Sequence, residues 1–511
     1  MAGIKITKNY VSTSINNTNL ANNWMVLVFG VTSRGPTKPT LVQNYDTFTS
    51  LFGQAIPNVP THAYMRFLLE NGVPVLFKRA IAASKFEQAE LTFEANSKAL
   101  FTVYANSDYP GNAGTDISVS IEKQPTTNNC TFNVYYGTDK PVETFNMGID
   151  TTGNISSMIY TFVSRAAQST TSISEYVTFK LIDEDVDDWK TLSLTSKQSL
   201  KIIKEDYEEP ENSVEAAKTL LSDITSELYT DVRLLHAMTY HPQLRFCTTG
   251  GIVDAEVAKQ ELILKCLGQF ATNCKSSFRI LVDYAQNMTD VSTVRNFARS
   301  IAGDSSNSPT NYAFFGWYGA DSYNNYLPGS AGFLTALARS GYNVYSRRIA
   351  GTSFTPAFTK AYKDIYIDAL NDWQDEDSIQ LNPITIVDSQ DNLAIMGSST
   401  LALPLGTLSA RNPAQALDIV CVSDYVAAIL HNIALSELEV ALDRLALSSL
   451  SNRMSTEVER FVTSGAITRY DLNFDTTQLG KLGVECVLYF AIGLEEVSIT
   501  VTSVYDTELV S

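Results

Sequence analysis

An acidic run is the first place where residue types in this 511-residue sequence could do chemistry. In DEDVDD, Asp183–Asp188, carboxylates occupy the first, third and fifth positions of a calcium-binding loop. Such a loop also needs glycine at the sixth position and glutamate at the twelfth, where this sequence has Asp188 and Leu194. The run therefore indicates a solvated acidic turn, and DWQDED at Asp372–Asp377 is interpreted in the same way.

Asp283 follows the apolar run FRILV, at the strand end where α/β enzymes often place a catalytic carboxylate. No partner base, nucleophile or metal motif accompanies it in the sequence, so we predict that Asp283 caps a neighbouring backbone amide. The glycines of GSAGFLTALARSG, residues 329–341, stand near a helix start. That stretch lacks the P-loop lysine and the full dinucleotide fingerprint, so it is not interpreted as a phosphate site.

The histidines and cysteines are isolated from one another along the chain. They are His62, His236, His241 and His431, and Cys130, Cys247, Cys266, Cys274, Cys421 and Cys486. The sequence has no HExxH, no CxxC pair and no G-x-S-x-G elbow, and scattered cysteines are most often small buried apolar residues. We therefore predict no catalytic residue, no cofactor and no metal site, and we do not expect an enzyme.

Composition and charge narrow the class of protein. The net charge is −18 and the pI is near 4.7, which opposes direct binding of nucleic acid; SRR at Ser346–Arg348 is the densest basic spot. Apolar residues make up 44% of the chain, yet no stretch approaches 18 uninterrupted apolar residues, so we expect a folded protein without a membrane span. The first residues lack a basic and then apolar signal pattern, which predicts synthesis in a cytoplasm.

The pattern of elements predicts a mixed α/β (α+β), multidomain fold. We expect a layered α/β core with an inserted antiparallel β-rich domain and a C-terminal α+β domain with extended terminal arms. Changes in patterning give six segments: an N-terminal arm (1–20), the first part of the core (21–87), the inserted β-rich domain (88–205), the second part of the core (206–404), the C-terminal α+β assembly domain (405–494) and a C-terminal strand or arm (495–511).

Several helix starts are predicted from capping residues. Asn44 or Asp46 can cap one short helix, and a second begins near Thr61. Ser423 is predicted to cap a long amphipathic helix, and Thr456 with Glu459 three residues later fits a capping box.

The two terminal segments alternate apolar and polar residues but have too little apolar surface to fold alone. Alternation gives a strand one dry face, and such a segment can add a strand to another sheet. The residues predicted to make assembly contacts on these dry faces are Ile4, Ile6, Val497, Ile499 and Val501.

One stretch carries a resemblance to a known family. GVTSRGPTKPTLVQNYDTFTSLFG, residues 30–53, follows the apolar run WMVLVF and precedes VLFKRA. It resembles the N-terminal signature of tail sheath proteins of contractile phage tails, through Arg34-Gly35-Pro36, Pro39 and Phe52-Gly53. Further phrases resemble the family in the same order: YPGNAGTDISVSI, TFNVYYGTDKPVETFNMG, YLPGSAGFLTALARSGYN and ERFVTSGAITRYDLNFD. The family's double proline is reduced here to Leu327-Pro328.

The resemblance implies a structural role. Six copies would form a ring around the tail tube, and rings would stack helically and contract to drive the tube through the host envelope for genome ejection. The implied partners are further copies of the chain, the tail tube protein, and the baseplate and tail terminator proteins, without nucleic acid or membrane contact. The implied location is the virion tail, assembled in the host cytoplasm, with the inserted domain on the outer surface.

Other interpretations stay open at this point. The same features fit a sheath of a tailocin or other contractile injection particle. A cytoplasmic α/β enzyme with a β-rich insertion would instead need a pocket with convergent polar groups. A tail-tube or baseplate protein is a third possibility, although tube proteins are usually much shorter. In the 30–53 turn, Gly35 allows a tight bend, while the partner of Arg34 lies either in its own chain or in a neighbouring subunit.

Overall fold

A computed structural model gives the fold and describes residues 24–207, 244–339, 355–361, 384–386, 393–395, 400–401, 416–435, 444–475 and 483–490, with short gaps inside the first two ranges. The residues predicted to make assembly contacts, Ile4, Ile6, Val497, Ile499 and Val501, lie outside the described residues. The same is true of the second acidic run, Asp372–Asp377, and of His236 and His241. Their predictions stand untested.

The described residues form strands in the following chain order: β1 (Met25–Gly30), β2 (Thr40–Val42), β3 (Val75–Arg79), β4 (Glu90–Ala95), β5 (Lys98–Ala105), β6 (Ile117–Lys123), β7 (Asn129–Tyr136), β8 (Glu143–Ile149), β9 (Val177–Leu181), β10 (Thr195–Ser199), β11 (Leu244–Gly251), β12 (Arg279–Val282), β13 (Tyr312–Phe314), β14 (Tyr318–Ala320), β15 (Tyr326–Pro328), β16 (Lys360–Ala361), β17 (Ile384–Ile386), β18 (Leu393–Ile395), β19 (Arg469–Asp475) and β20 (Gly483–Tyr489). The helices are α1 (Tyr45–Phe52), α2 (Thr61–Glu70), α3 (Asn112–Thr115), α4 (Ile155–Gln168), α5 (Val257–Asn273), α6 (Val291–Ala302), α7 (Gly329–Arg339), α8 (Leu417–Leu435) and α9 (Arg444–Thr463).

A six-stranded sheet lies at the centre of the fold, in the order β13-β12-β11-β1-β3-β2. All its pairings are parallel except β2 with β3. Every residue of β1 is buried because the strand lies inside the sheet with apolar clusters on both faces. Leu27 packs with α5 and α6 residues such as Ile263 and Phe297, whereas Val28 packs with Tyr64 of α2 and Phe333 of α7. The predicted layered α/β core is confirmed.

Residues 89–200 form a second, separate apolar core. Two antiparallel sheets contribute to it, β10-β6-β7-β8 and β4-β5-β9. Helix α4, which the sequence analysis did not predict within this β-rich module, packs Ile159 and Val163 into this core. The spacing of Ile155, Ile159 and Val163 is helical and carries the signal for α4. The mixed, multidomain fold class is confirmed, and the inserted module contains a helix as well as strands.

The capping predictions divide into right and wrong. Asn44 caps α1, because its Oδ1 accepts a hydrogen bond from the Thr47 amide at 2.8 Å, and α2 begins at Thr61 as predicted. The predictions that Ser423 and Thr456 cap helices were wrong. Both lie inside helices, and their hydroxyls donate to the carbonyls four residues earlier, at 2.8 Å in each case. Apolar residues before each position are buried on the same helix, so packing extends the helix past the local capping signal.

The chain divides into two compact units, residues 1–428 and 429–511. In the second unit, β19 and β20 pair antiparallel over seven residues each, as the alternation of Tyr470, Leu472 and Phe474 predicts. The Tyr470 hydroxyl donates to the Ser455 carbonyl of α9 at 3.2 Å, which ties the hairpin to that helix. The six-segment division stays a prediction.

One segment among the described residues, Leu417–Ala434 of α8, is long and apolar enough to cross a membrane by length and composition. It carries the carboxylates of Asp418 and Asp424, which are expensive in a hydrocarbon layer. Its residues Leu417 and Cys421 belong to an apolar cluster on the central sheet, and Asp424 pairs with Arg279 of β12. These features are those of a helix packed on a protein core.

Candidate functional site

The carboxyl edge of the central sheet is the place to look for a site. Open α/β sheets bind ligands outside the carboxyl ends of the strands, where the strand order reverses. In this sheet the reversal falls between β1 and β11, since the chain builds β3 on one side of β1 and β11 to β13 on the other. Gly30 and Gly251 face each other at that point. The crevice expected there is where an enzyme of this architecture would hold its substrate.

Thr61, the first residue of α2, closes the near end of this crevice. Its Oγ1 accepts a hydrogen bond from the Val31 amide at 2.9 Å and donates to the Gly251 carbonyl at 2.7 Å. These bonds satisfy the Val31 amide and the Gly251 carbonyl, at the carboxyl ends of β1 and β11. The hydroxyl thus bridges the two strand ends with a group from the chain itself.

Tyr64, one turn further along α2, fills the rest of the crevice. Its side chain is fully buried, and its hydroxyl lies 2.7 Å from Ser330 Oγ and 3.3 Å from Thr248 Oγ1. A Cβ added at Gly250 would lie 2.4 Å from the nearest ring carbon of Tyr64, well inside contact distance. Glycine at position 250 therefore makes room for the ring, and the ring occupies the space where a ligand would enter.

Asp283 lies at the end of β12 and ties α7 to the same edge. Its Oδ1 accepts a hydrogen bond from the Ser330 amide at 3.1 Å, and its Oδ2 accepts from Ser330 Oγ at 2.6 Å and from Thr248 Oγ1 at 3.1 Å. The prediction that Asp283 caps a backbone amide is confirmed, and the amide belongs to the first turn of α7. We call the four residues Tyr64, Thr248, Asp283 and Ser330 the crevice cluster.

Burial sets the electrostatics of the crevice cluster. Burial raises the pKa of Asp283 to about 7, although its three hydrogen bonds act to lower it. Burial also raises the pKa of the Tyr64 hydroxyl far above its usual value, with Asp283 adding to the effect. A carboxyl with a pKa near 7 has the strength of a general base, but this one is fully buried and bonded to hydroxyl and amide groups of its own chain. The carboxyl of Asp283 therefore serves to link the end of β12 to β11 and α7.

The 30–53 turn is a second place where distant elements meet. Arg34 Nη1 lies 2.9 Å from Oδ2 of Asp116, between α3 and β6 of the inserted module, and Nη2 donates to the Ser50 carbonyl of α1 at 3.0 Å. The Thr37 amide donates to the Asp108 carbonyl at 2.7 Å. Within the single chain, Arg34 thus has partners in both the inserted module and α1.

A buried arginine holds the backbone of the same turn through hydrogen bonds. Arg79, at the end of β3, is 1% exposed and donates to the Thr32 carbonyl at 3.0 Å and to the Gly35 carbonyl at 3.2 Å. Gly35 has a φ of +108°, and a Cβ there would lie 2.4 Å from the Phe52 ring. Only glycine fits this bend without strain. The turn therefore positions the inserted module on α1 and β3, and its polar groups are engaged in that task.

The first acidic run forms a compact turn. Asp183 and Asp185 accept hydrogen bonds from backbone amides two residues later, each at 3.0 Å. Lys98 Nζ lies 2.6 Å from Asp183 Oδ2 and also pairs with Asp188. Among the described residues no group of three or more potential ligands could hold a metal ion. The carboxylates of this turn are thus neutralised in part by a lysine of β5.

Two of the histidines, His62 and His431, lie among the described residues, and neither belongs to the crevice cluster. His62 is buried in α2, and its ring stacks edge-on against Phe48 with centroids 5.0 Å apart, whereas His431 is exposed on α8. Sequence analysis singled out Asp283 but missed Tyr64, Thr248 and Ser330. Thr248 lies near the carboxyl end of the buried strand β11, and Ser330 lies in the first turn of α7; these two positions are the signal that could have marked them.

Solved structures share this fold. The sheath tail protein of Listeria innocua aligns with a TM-score of 0.51 and 10% identity, over 93% of this chain and 97% of that one. A chain of the anti-feeding prophage baseplate aligns with a TM-score of 0.51 and 9% identity, over 95% and 94% of the two chains. A chain of that baseplate in its contracted state aligns with a TM-score of 0.50 and 10% identity, over 98% of this chain and 98% of that one.

No family model and no curated protein matches the sequence. At such low identity the likeness concerns the fold, and it extends over nearly the whole chain. The chain has the fold of a contractile tail sheath protein, as its sequence resemblance predicts.

Proposed function

We propose that this protein is the structural subunit of a contractile sheath. Six copies form a ring around a rigid tube, rings stack in a helix, and the stack shortens to drive the tube through a cell envelope. The observation that carries the proposal is the fold shared with a sheath tail protein over 93% of this chain. In a phage the stroke leads to genome ejection, and the subunit belongs to the virion tail.

The filled crevice supports a non-enzymatic role. The crevice cluster occupies the position where an α/β enzyme would bind its substrate, and its polar groups bond to one another. An enzyme would need convergent polar groups around an accessible space at this edge. A sheath subunit needs instead a stiff body that keeps its shape while the lattice moves.

The β19–β20 hairpin supports assembly by strand addition. Among the described residues, β19 and β20 pair with each other alone, so each presents an outer edge. Their residues Leu472, Phe474 and Cys486 are half-buried. An added strand would pair with an outer edge and cover more of this apolar surface. The terminal segments are the proposed donors, and about 20 extended residues span roughly 65–70 Å, enough to reach a neighbouring subunit.

The proposed stroke needs no nucleotide. The extended lattice stores free energy during assembly, and contraction releases it as subunits rotate as nearly rigid bodies. The bonds of Arg34 and Arg79 across the 30–53 turn support that rigidity, because they join the inserted module to the core. The proposed partners are other copies of the chain, the tube protein, and the baseplate and terminator proteins.

Electron microscopy of the purified full-length chain tests the proposal. Negative staining, alone and with a co-expressed tube protein, should show stacked rings or hollow tubes, and gel filtration should show large assemblies. Deleting residues 1–20 should leave a folded protein that forms no tubes. Glu184→Gln, at an exposed side chain of the inserted module, serves as the control and should still assemble. Normal tubes from the first deletion would contradict the strand-addition account, and a soluble monomer in every condition would contradict the sheath itself.

A contractile injection particle without a genome is the second candidate context. The observation that favours it is the shared fold with chains of the anti-feeding prophage baseplate. Purification of native particles that contain this chain distinguishes the two contexts. Particles with a DNA-filled head place the chain in a phage tail, and headless tubes place it in an injection particle or tailocin.

A further inference from the structure

The two compact units are joined through a helix. Helix α8 is continuous from Leu417 to Leu435, and the division between the units falls after Ala428, inside it. Its first half belongs to the unit of the central sheet, where Leu417 and Cys421 lie in an apolar cluster with residues of β1 and β3. The contacts that hold this half-helix on the sheet therefore lie within the first unit.

Charged and aromatic groups hold the first half of α8 at the amino edge of the sheet. Arg279, the first residue of β12, places Nη2 2.6 Å from Asp424 Oδ1, with side chains 10% and 15% exposed. The guanidinium of Arg245, near the start of β11, lies 4.7 Å from the centroid of the Tyr425 ring. Two consecutive residues of the helix thus engage arginines from two neighbouring strands.

The carboxylate of this ion pair is costly to desolvate. Burial raises the pKa of Asp424 to about 6, even though Arg279 and Arg245 both act to lower it. Desolvation of the carboxylate therefore outweighs the attraction of the two guanidiniums. Buried pairs of this kind fix geometry more than they add net stability, and both partners regain hydration when they separate.

We infer that Arg245, Arg279, Asp424 and Tyr425 form a releasable clasp that seats the first half of α8 on the sheet. When the clasp opens, the half-helix leaves the sheet while the strands stay paired, because the ladders of β1, β11 and β12 do not involve it. The inference does not depend on the sheath proposal, since it concerns the single chain. It places a releasable contact under the first half of α8, within the first unit.

The chain carries its own reporters of the seated state. Cys421 is 2% exposed on α8, and burial raises the pKa of its thiol to about 12, so alkylation requires the helix to lift. Cys247 of β11 is fully buried within the sheet, and burial likewise raises the pKa of its thiol. Labelling of Cys421 reports the clasp, and labelling of Cys247 reports opening of the sheet.

Pulsed labelling of the full-length chain with N-ethylmaleimide, read by peptide mass spectrometry, tests the clasp. We expect D424N to raise the labelling rate of Cys421 at least tenfold while the rate of Cys247 is unchanged. Y425L, which removes the stacked ring and keeps the ion pair, should give a smaller increase. The matched control is E457Q on α9, which breaks an exposed ion pair with Arg460 (2.8 Å apart) and should leave both rates unchanged.

Two outcomes would overturn the clasp. An unchanged Cys421 rate in D424N would mean that the ion pair does not seat the helix. Equal increases at Cys421 and Cys247 would mean that the pair contributes only to general stability. If D424N does not fold, R279K provides the same comparison, since it keeps the charge but loses the planar guanidinium.

Discussion

The crevice cluster and the β19–β20 hairpin differ in how their hydrogen-bonding groups are used. At the carboxyl edge of the central sheet, Thr61, Tyr64, Asp283 and Ser330 supply hydrogen-bond partners from the chain itself. At the hairpin, two strands pair only with each other among the described residues, and their inward side chains are half-buried. One region has its bonding capacity used internally, and the other retains capacity at its edges.

This difference teaches where the molecule can interact. An unpaired strand edge is a template for another strand, and single folded proteins usually protect such edges. A ligand crevice filled by a buried tyrosine offers nothing comparable. This difference supports the proposed assembly by strand addition. The following predictions separate the two regions, from the largest expected loss of stability to the smallest.

Tyr64→Ala should give the largest loss. It empties a fully buried site and leaves the hydroxyls of Thr248 and Ser330 with fewer partners, so we expect the free energy of unfolding to fall by about 3–5 kcal/mol. Urea denaturation followed by circular dichroism measures this. Tyr323→Ala, at a tyrosine that is 53% exposed, is the matched control and should change the free energy by less than about 1 kcal/mol. Equal effects of the two substitutions would refute the filled crevice.

Asp283 should give the crevice cluster a pH dependence. Its pKa is raised to about 7 in the folded chain from an ordinary 3.8, so the folded state binds the proton more tightly. The contribution of the protonated Asp283 carboxyl to the stability of the fold is fully present below about pH 4 and is lost as the pH rises through about 7. Each unit of the difference corresponds to about 1.4 kcal/mol. We expect the melting temperature of Asp283→Asn relative to the native chain to be higher at pH 8 than at pH 5.

The control for this titration is Asp139→Asn, at an exposed carboxylate between β7 and β8 that pairs with Lys197 at 3.0 Å. It removes a carboxylate without touching the crevice cluster. A relative melting temperature for Asp283→Asn that does not change with pH would show that this carboxyl does not titrate between the two states in the expected range.

Arg34 and Asp116 should give a small coupling across the 30–53 turn. Their side chains are 35% and 30% exposed, so water screens the pair and the coupling free energy should be about 0.5–1 kcal/mol. A double-mutant cycle with Arg34→Met and Asp116→Asn measures it by urea denaturation. Zero coupling would mean that the backbone bonds of this turn hold the inserted module without help from the ion pair.

Ile499→Asp should have almost no effect on the stability of the single chain and a large effect on assembly. It puts a charge on the predicted dry face of the C-terminal arm, which the proposed neighbour would bury. Thr500→Asp, on the predicted wet face, is the adjacent control. We expect tubes from the second variant and none from the first in electron micrographs. Tubes from both would remove Ile499 from the proposed interface.

Local pattern predicted the features that depend on neighbouring residues. The alternation around Leu472 indicated β19, and Asn44 was one of two residues predicted to cap α1, with Asp46 the other. Asp283 was assigned to a backbone amide because no partner for catalysis stood near it. Each of these depends on residues within a few positions or on a strand end. The buried run before Gly30 likewise indicated a strand inside a layered sheet.

The parts that sequence reasoning missed depend on contacts between distant residues. Tyr64 meets Thr248 and Ser330, which lie far away along the chain, and no local pattern announces that meeting. Thr456 satisfied a capping rule, yet packing of the residues before it continued the helix. The partner of Arg34 was undecidable for the same reason, because Asp116 belongs to another module.

The order of strands in the central sheet has a consequence for synthesis on the ribosome. β1 pairs with β3 soon after it emerges, but its other neighbour, β11, is encoded more than two hundred residues later. At about 5–20 residues per second, one side of β1 waits roughly 10–40 s for its partner. The intervening module consists of antiparallel ladders whose strands all precede β11 in the chain, and β4 with β5 and β6 with β7 are neighbours in sequence, so the module can fold during that interval. A nascent chain therefore carries an unpaired apolar strand next to a finished domain, and that intermediate is the species that chaperones would need to protect.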